Sequence, residues 1–111
     1  MKPIHSESDV VEWFFENYKR LGFKRILKHR WSGTPDFDMF DKKNRVLKVE
    51  IEDLTDCFNH NPSDVDIVVC VYDNIGLSKI HPSIKVIELR KLGYLMMPDM
   101  EEHYRHKGEK V

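Results

Sequence analysis

The sequence has few of the features that mark several large protein classes. Its two cysteines, Cys57 and Cys70, are too few for a disulfide framework. It has no apolar run long enough to cross a membrane and no recognisable signal peptide. Gly-rich phosphate loops, Walker-type motifs and Ser/His/Asp constellations are also missing. We therefore expect a protein of the reducing cytoplasm with no membrane partner.

Charge of one sign does not predominate either, because the formal net charge is −1. Global electrostatics therefore predicts no attraction to nucleic acid or membranes. The distribution is uneven, however. Between Asn17 and Pro35 there is no acid but there are six basic residues, namely Lys19, Arg20, Lys24, Arg25, Lys28 and Arg30. A basic block that leads into the acids beginning at Asp36 suits a phosphodiester held beside a metal, whereas a solvated charged surface is the simpler explanation on charge alone.

Length and periodicity predict one folded domain over residues 1–111. Apolar residues make up 41% of the chain and charged residues 33%, which is typical of a folded soluble protein. The predicted elements are a helix over 8–21, a strand over 23–31, a hairpin within 35–52, a short helix early in 53–64, a strand over 65–72, a strand over 84–89 and a helix over 99–106. Because the run over 65–72 is almost entirely apolar, it predicts a central strand in a parallel pair. We expect an α/β fold with a mixed sheet of about 4–5 strands flanked by helices.

Acidic residues gather in the hairpin within 35–52. Alternation in its second strand puts Leu47, Val49 and Ile51 on one face and Val46, Lys48, Glu50 and Glu52 on the other. If residues 42 and 46 pair across the turn, Asp38 lies opposite Glu50 and Asp36 lies opposite Glu52. Like charges directly opposite each other destabilise a sheet, so these carboxylates are either fully exposed to water or hold a cation. A slip of one residue would move Asp36 and Asp38 to the opposite face from Glu50 and Glu52, so the prediction depends on the register.

These motifs resemble the PD-(D/E)xK restriction-endonuclease-like superfamily: Pro35-Asp36 precedes a strand that carries Glu50-x-Glu52, and the leading helix carries Glu12 and Glu16. Within that superfamily, the chain is similar to a group of small, mostly uncharacterised prokaryotic proteins. That group has a V-E-F-E strand, an F…H…P loop and a D-x-I-V-C-W strand. The matching segments here are Val49–Glu52, Phe58, His60, Pro62, Asp66–Cys70 and Ile87–Leu89.

The resemblance implies a restriction-endonuclease-like domain that hydrolyses phosphodiester bonds as a metal-dependent endonuclease. Asp36 and Glu50 would bind Mg²⁺ or Mn²⁺ through hard oxygen ligands. The superfamily's third catalytic position is usually Lys, but here it is Glu52, which offers a third ligand or a base. Glu12 or Glu16 could reach the metal through water.

The resemblance also implies a nucleic-acid partner, with DNA expected before RNA. The residues that would contact its backbone are Lys24, Arg25, Lys28, Arg30, Lys48 and His60. A chain this small covers only part of a duplex, so we expect a homodimer or a partner protein. The missing Lys favours an alternative, a catalytically inactive nuclease-fold module that binds nucleic acid or a protein.

Three other features leave alternatives open. His60 either contacts phosphate and water at the site or bonds to a backbone carbonyl within its loop. Trp31 either stacks on a base or is a core or rim aromatic residue. The Cys57-x-x-His60 and His103-x-x-His106 spacings suit metal pairs, but no second pair matches the first, and a solvated helix explains the second more simply.

Overall fold

The structure is a computed structural model that describes residues 6–92. Five strands form one mixed sheet, and their order in space follows their order in the chain. The elements are α1 (Glu7–Asn17), β1 (Phe23–His29), β2 (Phe37–Asp41), β3 (Val46–Leu54), β4 (Ile67–Tyr72), α2 (Leu77–Ile80) and β5 (Lys85–Glu88). The predicted α/β class and mixed five-stranded sheet are confirmed. The helix predicted over 99–106 lies outside the described residues.

Helix α1 begins and ends where local signals place it. The Ser6 hydroxyl accepts a hydrogen bond from the Asp9 backbone N–H at 3.4 Å and caps the first turn. After Asn17 the chain tightens into one 3₁₀ turn, and it leaves that turn at Gly22. Gly22 has φ 94°, a left-handed conformation that suits a residue without Cβ. The interval predicted as helical is therefore helical, but its last turn is 3₁₀.

The core has two parts because both faces of the sheet are covered. On one face, α1 packs on a cluster to which all five strands contribute residues. Phe14 of α1 is fully buried, and its ring centroid lies 4.7 Å from that of Phe37. On the other face, a smaller cluster comprises Val65, Val68, Cys70, Leu77 and Ile84. Alternate residues of β4 contribute to the two clusters, which confirms it as a central strand buried on both faces. No helix within residues 6–92 has the length and apolar character needed to span a membrane.

The two parallel pairs are β3 with β4 and β4 with β5. The crossover from β3 to β4 contains two 3₁₀ turns, Thr55–Cys57 and Pro62–Asp64, so the helix predicted near its start is only one such turn. Helix α2 was not predicted, because its four residues are too few for helical periodicity to show. The Asp73 carboxylate supports its start by accepting the Leu77 N–H at 3.0 Å.

The register of the β2–β3 hairpin differs from the prediction by two residues. Asp38 pairs with Lys48, so the predicted pairings of Asp38 with Glu50 and of Asp36 with Glu52 are wrong. A shift of two residues preserves the alternation of faces. Lys48, Glu50 and Glu52 therefore still share one side of β3.

The turn explains this register. The Asp41 carboxylate accepts hydrogen bonds from the backbone N–H groups of Lys43 and Arg45, both at 2.9 Å, and from Arg45 Nε at 2.8 Å. Asn44 has φ 61°, and its left-handed conformation closes the loop. The Asp41 N–H donates to the Arg45 carbonyl at 3.0 Å, so the turn closes on residues 41 and 45, not on 42 and 46.

Candidate metal centre

The second half of β3 carries the two carboxylates of the candidate centre. Glu50 and Glu52 lie two residues apart and point to the same side of the sheet. They are only 2% and 4% exposed, respectively. Their partners across the β3–β4 ladder, Val68 and Cys70, are apolar. Two acidic groups removed from water in this way are costly unless they hold protons or share a cation.

His60 reaches the same place from the crossover between β3 and β4. Its Nε2 contacts Glu50 Oε2 directly, and its Nδ1 lies 2.8 Å from the hydroxyl oxygen of Thr34. Ligand atoms of Glu50, Glu52 and His60 all lie within 4.8 Å of one another, a spacing that one metal ion can bridge. His60 therefore lies between Glu50 and Thr34, and its predicted contact with phosphate or water stays a prediction.

Two hydrogen bonds tie Asp36 to neighbouring residues of β3. Its backbone N–H donates to Glu50 Oε1 at 3.0 Å, and its own Oδ2 accepts from the Ile51 N–H at 2.8 Å. Asp36 therefore lies beside Glu50, from the bend before β2, and its predicted role as a metal ligand stays a prediction. It is not one of the three residues whose ligand atoms all lie within 4.8 Å.

Glu50 and Glu52 keep their protons to a higher pH than ordinary carboxyl groups do. Burial raises the pKa of Glu50 to about 9, and the neighbouring Asp36 carboxyl adds to this rise while the Asp36 N–H opposes it. Burial also raises the pKa of Glu52 to about 8, with the charge of Glu7 as the next largest cause. A divalent cation binding at neutral pH would therefore displace protons from this site.

Glu7 is the acid of α1 whose field acts on the site. As an acid in the first turn of α1 it complements the helix dipole, which any acid there can do. No local signal distinguishes it from such an acid, because its position near Glu52 is a tertiary feature. Glu12, predicted as a ligand through water, has an exposed side chain on the same helix and is not part of the three-residue group. Its role stays a prediction.

Arg30 supports the bend instead of extending into solvent. Its Nη2 donates to Asp38 Oδ2 at 2.8 Å and its Nη1 donates to the Pro35 carbonyl at 3.1 Å. Its backbone N–H donates to the Asp36 carbonyl at 2.8 Å. Asp38 is thus engaged by a guanidinium, and Arg30 fixes the segment that presents Asp36.

The other predicted phosphate-binding residues are exposed. Three lie on the edge strand β1: Lys24 Nζ donates to Asn44 Oδ1 at 2.7 Å, the Arg25 guanidinium lies 4.3 Å from the centre of the Phe40 ring, and Lys28 pairs with Asp38 in the strand register. Lys48 lies two residues before Glu50, on the same side of β3. The structure does not bring these side chains into the carboxylate group, so their contact with nucleic acid stays a prediction.

Comparison with protein-family models, curated proteins and solved structures finds no match. The PD-(D/E)xK resemblance therefore rests on the sequence motifs, and the chemistry has to be inferred from the residues of the site.

Thr34 should act as the residue that orients His60. Thr34→Val keeps the shape of the side chain but removes the hydroxyl that meets Nδ1. Because such partners fix the ring of a metal-binding histidine, we expect Mn²⁺ affinity to fall roughly 10-fold in calorimetric titrations. Ser32→Ala, which removes an exposed hydroxyl from the same bend, is the matched control. Equal affinities in the two variants would contradict the orienting role.

Proposed function

We propose that this protein is a divalent-metal-dependent nuclease that hydrolyses phosphodiester bonds in DNA, built on a restriction-endonuclease-like domain. The observation that carries the proposal is the group formed by Glu50, Glu52 and His60, whose ligand atoms lie within 4.8 Å of one another. Asp36 lies beside this group, because its backbone N–H donates to Glu50 Oε1 at 3.0 Å, and in our proposal its carboxylate is a further ligand.

The donor set suits Mn²⁺ or Mg²⁺. Carboxylate oxygens are the ligands both ions prefer, and an imidazole shifts the preference toward the transition metal. We therefore expect Mn²⁺ to bind more tightly than Mg²⁺. When bound, such an ion lowers the pKa of a ligated water and stabilises negative charge on the scissile phosphate.

The protein's own residues then divide the remaining work. Glu50, Glu52 and His60 would hold the ion, with the Asp36 carboxylate as a further ligand. Glu52 occupies the position where the superfamily usually has Lys, and burial gives it a pKa of about 8. Direct contact with a cation lowers the pKa of a carboxyl group, so Glu52 serves as a ligand where it binds the ion directly and as a general base where a water lies between them. Exposed basic side chains along β1, together with Lys48, would offset the charge of the phosphate backbone.

Cleavage assays test this proposal. Labelled single-stranded and duplex DNA and RNA are incubated with the protein in Mg²⁺, Mn²⁺ or EDTA. We expect cleavage of DNA that needs metal and that falls roughly 100-fold or more in Asp36→Asn and Glu52→Gln, because several kcal/mol of charge stabilisation are lost. Glu88→Gln is the matched control, since Glu88 is also a buried carboxylate but lies on β5. Its contacts are with Arg90 and Lys91, in the turn that follows.

Two outcomes would contradict the proposal. No cleavage by the unmodified protein with either metal is the first. The second is nucleic-acid binding that neither metal nor the two substitutions change, which would favour the inactive nuclease-fold module. Because one chain covers only part of a duplex, the active species in our proposal is a homodimer or a complex with a partner protein, and light scattering with and without DNA measures its mass.

A further inference from the structure

Trp31 is far more exposed than a tryptophan usually is. It follows β1 and is 87% exposed, whereas the other tryptophan of the described chain, Trp13, is 8% exposed in the core. Burial of a large aromatic ring is favourable, so an indole left in water contributes little to folding. Its position suggests a role in contact with a ligand.

Neighbouring aromatic rings anchor the indole of Trp31. The Trp31 ring meets the His29 ring edge-on, with centroids 4.4 Å apart and planes at 74°. His29 in turn stacks on Phe37 at 4.4 Å and 27°, and Phe37 is fully buried. A chain of aromatic contacts therefore anchors Trp31 to the core and leaves its faces largely open to solvent.

A groove beside Trp31 is also lined by Asp36, which neighbours the metal centre. It has a volume of about 300 Å³ and runs between the start of α1 and the end of β1, lined by Glu7, Ser8, Val11, His29, Arg30, Trp31 and Asp36. Asp36 is also the residue that hydrogen-bonds to Glu50 in the candidate metal centre. A strand with its phosphate at the metal centre would therefore have an adjoining nucleotide beside Trp31.

The charges in this groove favour a base over a phosphate. Glu7 and Asp36 are both acidic, and the guanidinium of Arg30, which also lines the groove, is already paired with Asp38, so a phosphate group there would be repelled. A nucleobase is neutral, its exocyclic amino groups can donate to carboxylates, and its ring can stack on the indole. Within a duplex, neighbouring bases cover both faces of each base, so only an unpaired base can stack in this way. The exposed basic residues of β1 complement the backbone of the same strand.

We infer that Trp31 and this groove bind an unpaired nucleobase, so that the substrate is single-stranded DNA or an unpaired end. This inference rests on the proposed function, since it takes the scissile phosphate to lie at the metal centre.

Binding of short labelled oligonucleotides, measured by fluorescence anisotropy in EDTA and in Ca²⁺, tests the inference. The probes are a single strand, the matching blunt duplex, and an abasic strand with the same number of phosphates. Trp31→Ala should weaken binding of the single strand roughly 5- to 150-fold, which is the range for loss of one base–aromatic stack. Trp31→Phe should retain most of the affinity. Binding of the duplex and of the abasic strand should not change.

Ile80→Ala is the matched control, because Ile80 is an apolar side chain that is 54% exposed in another element. The inference is overturned if Trp31→Ala binds the single strand as tightly as the unmodified protein, or if the abasic strand binds as tightly as the normal one. A loss of self-association in Trp31→Ala with unchanged oligonucleotide affinity would also overturn it, since it would assign Trp31 to a protein interface.

A parallel Mn²⁺ titration separates failure of the inference from failure of the proposed function. Trp31→Ala should bind Mn²⁺ like the unmodified protein. Intact metal binding and cleavage with no effect of Trp31→Ala on single-strand binding would reject the base site alone. Weakened single-strand binding in Trp31→Ala, together with no metal binding or cleavage in the unmodified protein, would reject the nuclease and the placement of the phosphate.

Discussion

Replacing Glu50 by glutamine should abolish metal binding and at the same time make the metal-free protein more stable at pH 8. The neutral amide keeps an oxygen that can accept the Asp36 N–H, a bond of 3.0 Å in the unmodified chain. It removes a carboxyl group whose pKa burial raises to about 9. In the unfolded chain the same group ionises at its ordinary, much lower pKa, so at pH 8 the unmodified protein must take up a proton when it folds. At about 1.4 kcal/mol for each pH unit above the ordinary pKa, the stability gain at pH 8 should be up to about 5 kcal/mol, or a rise in Tm of roughly 10 °C or more.

Thermal unfolding in EDTA and calorimetric titration with Mn²⁺ measure the two effects. Asp64→Asn, which changes an exposed acid in the second 3₁₀ turn of the crossover, is the control and should change neither quantity. At pH 5 the stability gain of Glu50→Gln should shrink, because the unfolded chain then keeps a larger share of its protons. A Glu50→Gln variant that is less stable than the unmodified protein at pH 8 would show that the carboxylate stabilises the fold through its contact with His60. The site would then be structural.

The metal-free protein should lose stability as the pH rises from 5 to 8, and Mg²⁺ should reverse the loss. The folded-state pKa values of Glu50 and Glu52, about 9 and about 8, lie above the ordinary value of 4.5. Below pH 4.5 both states hold the protons, so the groups have no effect. Above it, the unfolded state releases protons that the folded state keeps, and the free energy of unfolding falls by up to about 1.4 kcal/mol per pH unit per group. The loss levels off near pH 9.

Metal binding has the opposite dependence, since the ion competes with these protons and binds more tightly as the pH rises. The difference in Tm between protein in Mg²⁺ and protein in EDTA should therefore widen from pH 5 to pH 8. Unfolding curves across that range measure it, and the double variant Glu50→Gln with Glu52→Gln should show almost no difference at any pH. A stability in EDTA that increases with pH would refute this explanation.

Local patterns predicted most of the elements, because their causes are local. The apolar run of β4 requires burial on both faces, and Gly22 allows the left-handed residue that ends the first helical segment. The hairpin register was wrong because two registers that differ by two residues give the same alternation of faces. Hydrogen bonds to the Asp41 side chain and the left-handed conformation of Asn44 decide between them, and hydrophobic periodicity does not report either.

The candidate site was predictable only where its residues lie on the strand. Glu50 and Glu52 follow from alternation along β3, and Asp36 was placed near them on the right side but at the wrong register. The contact between Thr34 and His60 joins residues 26 positions apart through two loops, so no periodic signal marks it. The same holds for Glu7, which influences Glu52 from another element, and for Arg30, whose partners were visible only in the fold.

Titration of Mn²⁺ into the protein at pH 7.5, in two buffers that differ in ionisation enthalpy, tests the metal centre most directly. If Glu50, Glu52 and His60 share one cation, a single Mn²⁺ should bind per chain and release on the order of one or two protons. That binding should be lost in Glu50→Gln and in Glu52→Gln. Absence of binding to the unmodified protein, or binding that survives in both variants, would contradict the account.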